Sequence, residues 1–435
     1  MAVLAAIAIV MPYRRLPYLF ILSTFFDKFM LNYGGINARP SYVIGGVFFA
    51  KWVFYDRSRF RHLKENPLVL PMVVLLAANV LASILNAPDP DKSLRLALLS
   101  VVFFAPFAAL TAILGDRRKY EELLSWYVGL GLASALAGIA AYALFALGGI
   151  ETVMISPELG GRIVGTQHSA GDHFGIQMCT LFVLGVALVA DRGGRRLLGR
   201  VPYLKIGVFA LAMFLSFKRS AWGGALGGLL VLDLLRRHWG AVLKHAFVAA
   251  ALVLAAAAAW NLAPASYRGP GSAMDRADQR YQEFLDFSNG TGAARVAGWE
   301  AALRLWTEHP IIGSGTGSLD GYQSWISNVF VRALYDSGLV GLVAVVLIWG
   351  TLFWKGLRAY ARGPSSGTLR ACVIGLLAAS AALFVVNMVD DEFLLSLFWV
   401  QIAFAIAAFT MRGEDDSRTS DANAESLPEA VAHAA

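Results

Sequence analysis

The feature that most constrains this chain is a succession of long apolar blocks with almost no charge inside them. Each block runs for roughly 17–25 residues, the length a helix needs to cross about 30 Å of hydrocarbon. Inside lipid the backbone must satisfy its own polar groups, so only helices and closed barrels cross. A barrel strand alternates lipid-facing and lumen-facing residues, whereas these blocks are continuous. The expected fold is therefore all-α, a polytopic transmembrane helix bundle. Composition agrees. Hydrophobic residues make up 57% of the chain and charged residues 15%, against about 25% charged in a soluble domain.

Twelve spans are expected, at roughly 16–31, 40–55, 67–86, 94–114, 123–147, 171–190, 201–217, 219–235, 241–263, 328–352, 369–389 and 392–410. The connectors alternate in character. One set holds Arg14/Arg15, Arg57/Arg59/Arg61/Lys64, Arg117/Arg118/Lys119, Arg192/Arg195/Arg196/Arg200, Arg236/Arg237/Lys244 and Lys355/Arg358/Arg362/Arg370. Basic connectors stay in the cytoplasm, so the other set faces outward: 32–39, 87–93, 148–170, the 217–220 corner and the long stretch 264–327. This bias accounts for the net charge of +7 without invoking nucleic acid. The expected organisation is a bundle over 1–263, a periplasmic loop over 264–327, three more spans over 328–410 and a disordered cytoplasmic tail over 411–435. The first apolar run, Ala2 to Val10, has no Lys or Arg before it. It reads as a short interfacial or re-entrant piece, or a fray on the first span, and not as a signal peptide. Cys179 and Cys372 lie in apolar blocks and form no disulfide framework.

The long outward loop is the unusual connector, because loops of that length are functional or disordered. Within it, residues 295–309 are amphipathic at helical spacing, with Trp299, Leu303 and Trp306 on one face. Glu300 and Arg304 stand at ion-pair spacing. Pro310 ends the pattern, and a GSGTGS run follows. That run lacks the lysine of a phosphate-binding loop and lies where ATP is absent, so nucleotide is not expected.

Positive charge on the outer side breaks the topological bias and needs another reason. Arg162, Lys218, Arg219, Arg276, Arg280, Arg295 and Arg304 are all outward. Lys218 and Arg219 sit at a tight corner near membrane depth, where an ionisable group is costly and marks a candidate site. Arginine suits bidentate phosphate binding and lysine acts as a point charge. The competing reading is that both snorkel to lipid headgroups. Arg332 lies one turn beyond Asn328 and one turn before Asp336, and an Arg332–Asp336 pair explains it structurally. Lys51 is a weaker signal. Asp390, Asp391 and Glu392 are expected as a solvated turn. His168 and His173 flank Asp172 at a spacing that fits no zinc or haem motif, so no metal is expected. Asp172 is placed to cap the next span. The residues thus describe an outward cationic site, roofed by a loop with an amphipathic helix. A lipid-linked phosphate or diphosphate is the ligand such a site would take.

The order of these features resembles the O-antigen ligase/polymerase superfamily of bacterial inner membranes. Three motifs carry the resemblance, together with about twelve spans and one large late periplasmic loop. The first is the Phe217-Lys218-Arg219-Ser220 corner. The second is Arg295, Trp299, Pro310, Gly313 and Gly315. The third is Ser327-Asn328, Asp336 and the run Gly338-Leu339-Val340-Gly341-Leu342. The resemblance implies a metal-independent, cofactor-free inverting glycosyltransferase with an undecaprenyl-diphosphate-linked oligosaccharide as donor. It implies a glycan or lipid A-core acceptor, membrane lipids around the bundle and a chain-length regulator protein as a partner. Arg219, Arg295 and Asn328 would be catalytic. Arg162, Lys218, His168, Trp299, Arg332 and Asp336 would bind substrate. One departure stands out: the ligases have a histidine where this chain has Ser327. Serine is no general base near neutral pH, so His168, His173, Asp172 or Asp336 would take that role, or little base assistance is needed. The departure favours a polymerase of O-antigen or exopolysaccharide units over a lipid A-core ligase. A transporter or flippase is the alternative of another class. It would carry midplane charges in repeated halves, and no repeat is evident in the sequence.

Overall fold

The computed structural model describes residues 2–33, 36–156, 162–166, 173–237, 290–319, 326–363, 367–391, 393 and 395–411. The expected span at 241–263, Asp172, His168, Arg276, Arg280, Glu392 and the tail from 412 lie outside the described residues. The described helices are α1 (Ala2–Val10), α2 (Leu16–Thr24), α3 (Pro40–Tyr55), α4 (Arg59–Glu65), α5 (Val69–Leu85), α6 (Pro90–Ile113), α7 (Arg117–Gly148) and α8 (His173–Val189). They continue with α9 (Arg192–Leu198), α10 (Pro202–Leu215), α11 (Arg219–Arg236), α12 (Gly290–Trp306), α13 (Val329–Arg362), α14 (Gly367–Asn387) and α15 (Ser396–Thr410). Two small antiparallel hairpins pair β1 (Leu31–Tyr33) with β2 (Ile36–Ala38) and β3 (Ile155–Ser156) with β4 (Arg162–Ile163). Among the described residues, α6, α7, α13 and α14 are long and apolar enough to cross a membrane, and up to seven spans result if each bent helix pair counts as one. This is the architecture of an all-α membrane protein.

Helix starts follow the sequence closely. Asp89, Asp116 and Asp191 cap α6, α7 and α9, each accepting from a backbone N–H of the first turn at 2.8–3.0 Å. Proline opens α3, α6 and α10 at a position whose N–H would be unpaired anyway. The first span is shorter than expected. Residues 16–31 were expected as one helix, yet α2 ends at Thr24. The Ser23 and Thr24 hydroxyls donate back to the carbonyls of Phe20 and Ile21, at 2.6 and 2.7 Å, and the chain turns. Nine residues span only about 14 Å. Ahead of it, α1 is a separate piece, bent by 119° from the helix that follows. Lys51 holds α1 in place by donating to the carbonyls of Ala8, Ile9 and Met11 at 3.2, 2.6 and 2.7 Å. These carbonyls, at and just past the helix C-terminus, are orphans that a cation satisfies well.

The centre of the bundle is α14 with α15, whose residues are buried on nearly every face. Small residues set how closely α11 approaches α14. A Cβ on Gly224 would lie 2.9 Å from the Ala382 carbonyl, and one on Gly228 would lie 2.9 Å from the Ala378 carbonyl. This small-xxx-small face lets two backbones meet in antiparallel register. A buried polar knot adds specificity: Gln401 donates to Tyr127 at 2.7 Å and to Thr180 at 2.6 Å. Another fixes the start of α15, where Ser41 donates to Asp27 at 2.6 Å and meets Ser396 at 2.7 Å.

The predicted span at 328–352 is longer than expected and is broken. Helix α13 runs on to Arg362, but Gly338 within it has φ +67° and ψ −159°. An unbroken helix would bond Leu339 N–H to Tyr335 and Val340 N–H to Asp336. Here the loop after α12 takes both places. Leu339 and Val340 donate to Pro310 and Ile311 at 3.0 and 3.3 Å, while Tyr335 and Asp336 accept from Ser314 and Gly315 at 2.9 and 3.0 Å. Buried backbone groups freed by a helix break need another partner, and the loop supplies it. The glycines are there for contact. A Cβ on Gly313 would lie 2.4 Å from Gly338 N, and one on Gly338 would lie 2.3 Å from the Ile311 carbonyl oxygen. The far side of the same loop meets α5, where Asn86 donates to the Gly313 carbonyl at 2.7 Å.

Candidate active site

The register of α11 on α14 decides what lies at their ends. Moving four residues towards the N-terminus of α11 moves four towards the C-terminus of α14, from Gly228 over Ala378 to Gly224 over Ala382. Continuing the same step brings Lys218, which precedes α11, to the segment after α14. Lys218 Nζ lies 3.0 Å from Asp390 Oδ1. Both side chains are buried, at 6% and 12% exposure. The corner that delivers Lys218 is tight: Phe217 has φ +50°, and the Lys218 N–H donates to Ser216 Oγ at 3.3 Å. Helix α8 closes on it at Gly175, where a Cβ would fall 2.8 Å from Lys218 Cβ.

The second cation comes from the long loop. Arg295 sits in the second turn of α12, and its guanidinium reaches the same Asp390 oxygen at 3.3 Å. Helix α12 is held by a small apolar cluster of Ala302, Leu319, Ile326 and Tyr335, with Trp299, Leu305 and Val331 packed against it. The buried face therefore differs from the expected one. Gly298 and Ala302 are its buried positions, and Leu303 is 43% exposed. The small residues let the helix lie flat on α13, which Leu303 would prevent. Glu300 and Arg304 are both exposed, and among the described residues no ion pair joins them.

A second ionic group lies on α13. Arg332 contacts Asp336 at 3.3 Å, as its spacing predicts, and also Asp391 at 2.9 Å. Asn328 caps α13 by accepting from Phe330 and Val331 at 2.9 and 3.0 Å, and its amide donates to the Met388 carbonyl at 2.8 Å. Asn328 thus ties the start of α13 to the segment that carries both aspartates. The expectation of a solvated turn at 390–392 is corrected here. Asp390 and Asp391 are each only 8% exposed, because two helices and the loop bring cations against them. Sequence reasoning missed these carboxylates as site residues. The signal that could have found them is the glycine face of α11, which sets their register against Lys218.

Buried polar atoms in this region without a hydrogen-bond partner among the described residues include Asp390 Oδ2, Ser327 Oγ, Trp299 Nε1 and Ser220 Oγ. Each such atom costs about 1–3 kcal/mol when left unpaired. Arg219 lies half-buried in the first turn of α11, next to Lys218, and Arg162 lies half-buried in β4. His168 lies outside the described residues. The structure therefore joins Lys218, Arg295, Asn328, Arg332 and Asp336 through the segment 388–391, which had been given no role. Two crevices of about 600 and 690 Å³ lie elsewhere, one lined by α1, α2 and α3 residues and one by Asp191, Arg236, Arg237 and Arg370.

These features define a helical membrane protein with a buried ionic cluster at one end. Residues 206–346 match the family model described as O-antigen ligase, a stretch holding all three motifs and about a third of the chain. The resemblance to the O-antigen ligase/polymerase superfamily is shown over that stretch. No curated protein matches the chain.

Proposed function

We propose that the chain is a glycosyltransferase of the periplasmic face of a bacterial inner membrane, moving an oligosaccharide from undecaprenyl diphosphate to a glycan acceptor. In this reading the Lys218 end faces the periplasm and the arginine-rich end faces the cytoplasm, as the charge bias requires. The observation that carries the proposal is the convergence of Lys218 and Arg295 on one carboxylate oxygen. Two cations already directed at one oxyanion are placed for a diphosphate oxygen. Negative charge builds on the diphosphate as its bond to the sugar breaks. Cations fixed in a water-poor site stabilise that charge without reorganising, and such electrostatic stabilisation is usually the largest catalytic contribution.

In this reading Arg219 and Arg295 are the catalytic cations and Lys218 adds a point charge. Asn328 and the Arg332–Asp336 pair hold the adjoining wall. Trp299, Arg162 and His168 would bind the substrate. An acceptor hydroxyl that attacks opposite the diphosphate inverts the sugar centre. The cations supply the stabilisation that a metal gives elsewhere, so transfer needs none.

Ser327, in place of the histidine of the ligases, favours a polymerase joining O-antigen or exopolysaccharide repeat units. The description of the matching family model favours the second reading, transfer of the finished glycan to lipid A-core. Purified protein in nanodiscs, given a lipid-linked repeat unit with EDTA and without ATP, tests both. Lengthened lipid-linked chains support the polymerase, and product on added lipid A-core supports the ligase. An absolute requirement for metal or ATP, or no transfer to either acceptor, overturns the proposal.

A further inference from the structure

Asp390 is bonded through one oxygen only. Its Oδ1 meets both Lys218 and Arg295, while its Oδ2 is buried and unpartnered among the described residues. Ser327 is a second orphan, 4% exposed, with its Oγ unpaired. The two lie on segments that a hydrogen bond ties together, since Asn328, next to Ser327, donates to the carbonyl of Met388, two residues before Asp390. Buried polar atoms in native structures are almost always paired, so two orphans on joined segments mark where something else binds. The group they miss has to suit a carboxylate oxygen and a hydroxyl. A carboxylate oxygen accepts, and a hydroxyl both donates and accepts. A sugar hydroxyl satisfies both.

We infer that Asp390 is the general base of this chain, held in reserve by the cations that bind the donor. The inference rests on the glycosyl-transfer reading. In the resting protein Asp390 stands in for the donor's diphosphate between Lys218 and Arg295. Donor binding gives those cations a more highly charged partner and releases the carboxylate. The freed carboxylate then faces the acceptor. The acceptor oxygen forms the new bond to the anomeric carbon as the bond from that carbon to the diphosphate oxygen breaks. The bonding pair leaves with the diphosphate, and the hydroxyl proton passes to Asp390 Oδ2. A carboxylate base opposite the leaving group is established chemistry for inversion at a sugar. Asp390 thereby fills the role left open by Ser327, and neither Asp336 nor His173 is needed for it.

The test uses full-length protein in nanodiscs. Geranylgeranyl diphosphate is the binding probe and a lipid-linked repeat unit is the substrate. Asp390→Asn removes the competing anion and the base together. Its expected signature is several-fold tighter binding of the probe with transfer reduced at least 100-fold. A carboxylate that served only as structure would lose binding and transfer together. Ser327→His in the Asp390→Asn background supplies an imidazole and should recover at least tenfold of the lost transfer. Transfer by Asp390→Asn within threefold of wild type overturns the assignment, as does weaker probe binding. If Asp390→Asn fails to fold, Lys218→Met and Lys218→Met/Asp390→Asn are compared in the same assays. The second pairs loss of a buried cation with loss of its anion, and the same outcomes decide. Wild-type protein that transfers no sugar at all would sink the glycosyl-transfer reading itself, separately from Asp390.

Discussion

At one end of the bundle Arg192, Arg196 and Arg200 stand in solvent around the short helix α9, and Arg237 and Arg370 are exposed nearby. At the other end Lys218 and Arg332 are almost fully buried, at 6% and 13% side-chain exposure, and each faces a buried aspartate. The residue types are nearly the same, but the physics differs. Solvated arginines bias orientation and cost little. Buried cations are expensive to desolvate, and they persist only where counter-ions and packing compensate. Charge alone therefore does not mark a site in such a chain. Charge that is buried, paired and left with an unsatisfied oxygen beside it does.

The sharpest way to break this contrast is transfer activity. Arg295→Ala and Arg219→Ala should each lower transfer at least 100-fold, on the order of losing one preorganised donor to a developing oxyanion. Arg196→Ala, exposed at the opposite end, should stay within about twofold. Arg295 is the cleaner probe, because its side chain is 29% exposed and its loss still leaves Lys218 on Asp390. Equal effects at the two ends would show that the buried cluster has no special role. Lysine at Arg219 or Arg295 should rescue poorly, since the planar fork is lost.

The next effect is on stability. Arg332→Ala leaves Asp336 and Asp391 buried without the guanidinium they share. Breaking a buried ionic group in this way costs about 3–5 kcal/mol. Arg61→Ala removes the exposed Arg61–Glu65 pair, whose side chains are 75% and 59% exposed, and should cost less than about 1 kcal/mol. Chemical unfolding in detergent compares the two. Arg332→Ala unfolding like Arg61→Ala would mean that the cluster is wetter than its burial indicates.

What was legible in the sequence follows the same division. Apolar blocks located most of the helices, because that signal is local. Eleven of the twelve expected spans contain a described helix. The early end of α2 was not legible, since it depends on Ser23 and Thr24 bonding back to the chain. The cations of the 217–220 corner and of residue 295 were legible as out of place against the expected charge bias. Their counter-ions were not, because Asp390 and Asp391 acquire meaning only through the register of α11 against α14. The glycines around 313 and 338 were visible as parts of two separate motifs. Their role is mutual: each run needs the other to be explained, across a span and a loop.

That mutual role sets the smallest contrast, between two glycines of one helix. Gly338 and Gly363 have nearly the same φ, +67° and +64°. They differ in ψ and in what surrounds them. Gly363 ends α13 in the left-handed region, and a Cβ there would meet nothing within 4 Å. Gly338 has ψ −159°, a region that is essentially glycine-only, and its Cβ would collide with the backbone of Ile311. Gly363→Ala should therefore cost about 1 kcal/mol, the penalty of a left-handed residue alone. Gly338→Ala should cost about 3 kcal/mol, the upper end for strained backbone, because the collision is with backbone that cannot rotate away. It should also weaken transfer, since the loop that crosses Gly338 continues into the Ser327–Asn328 segment. Equal destabilisation by the two variants would mean that the loop 310–315 can lift off the break in α13. The wall that presents Ser327 and Arg332 would then be a movable one.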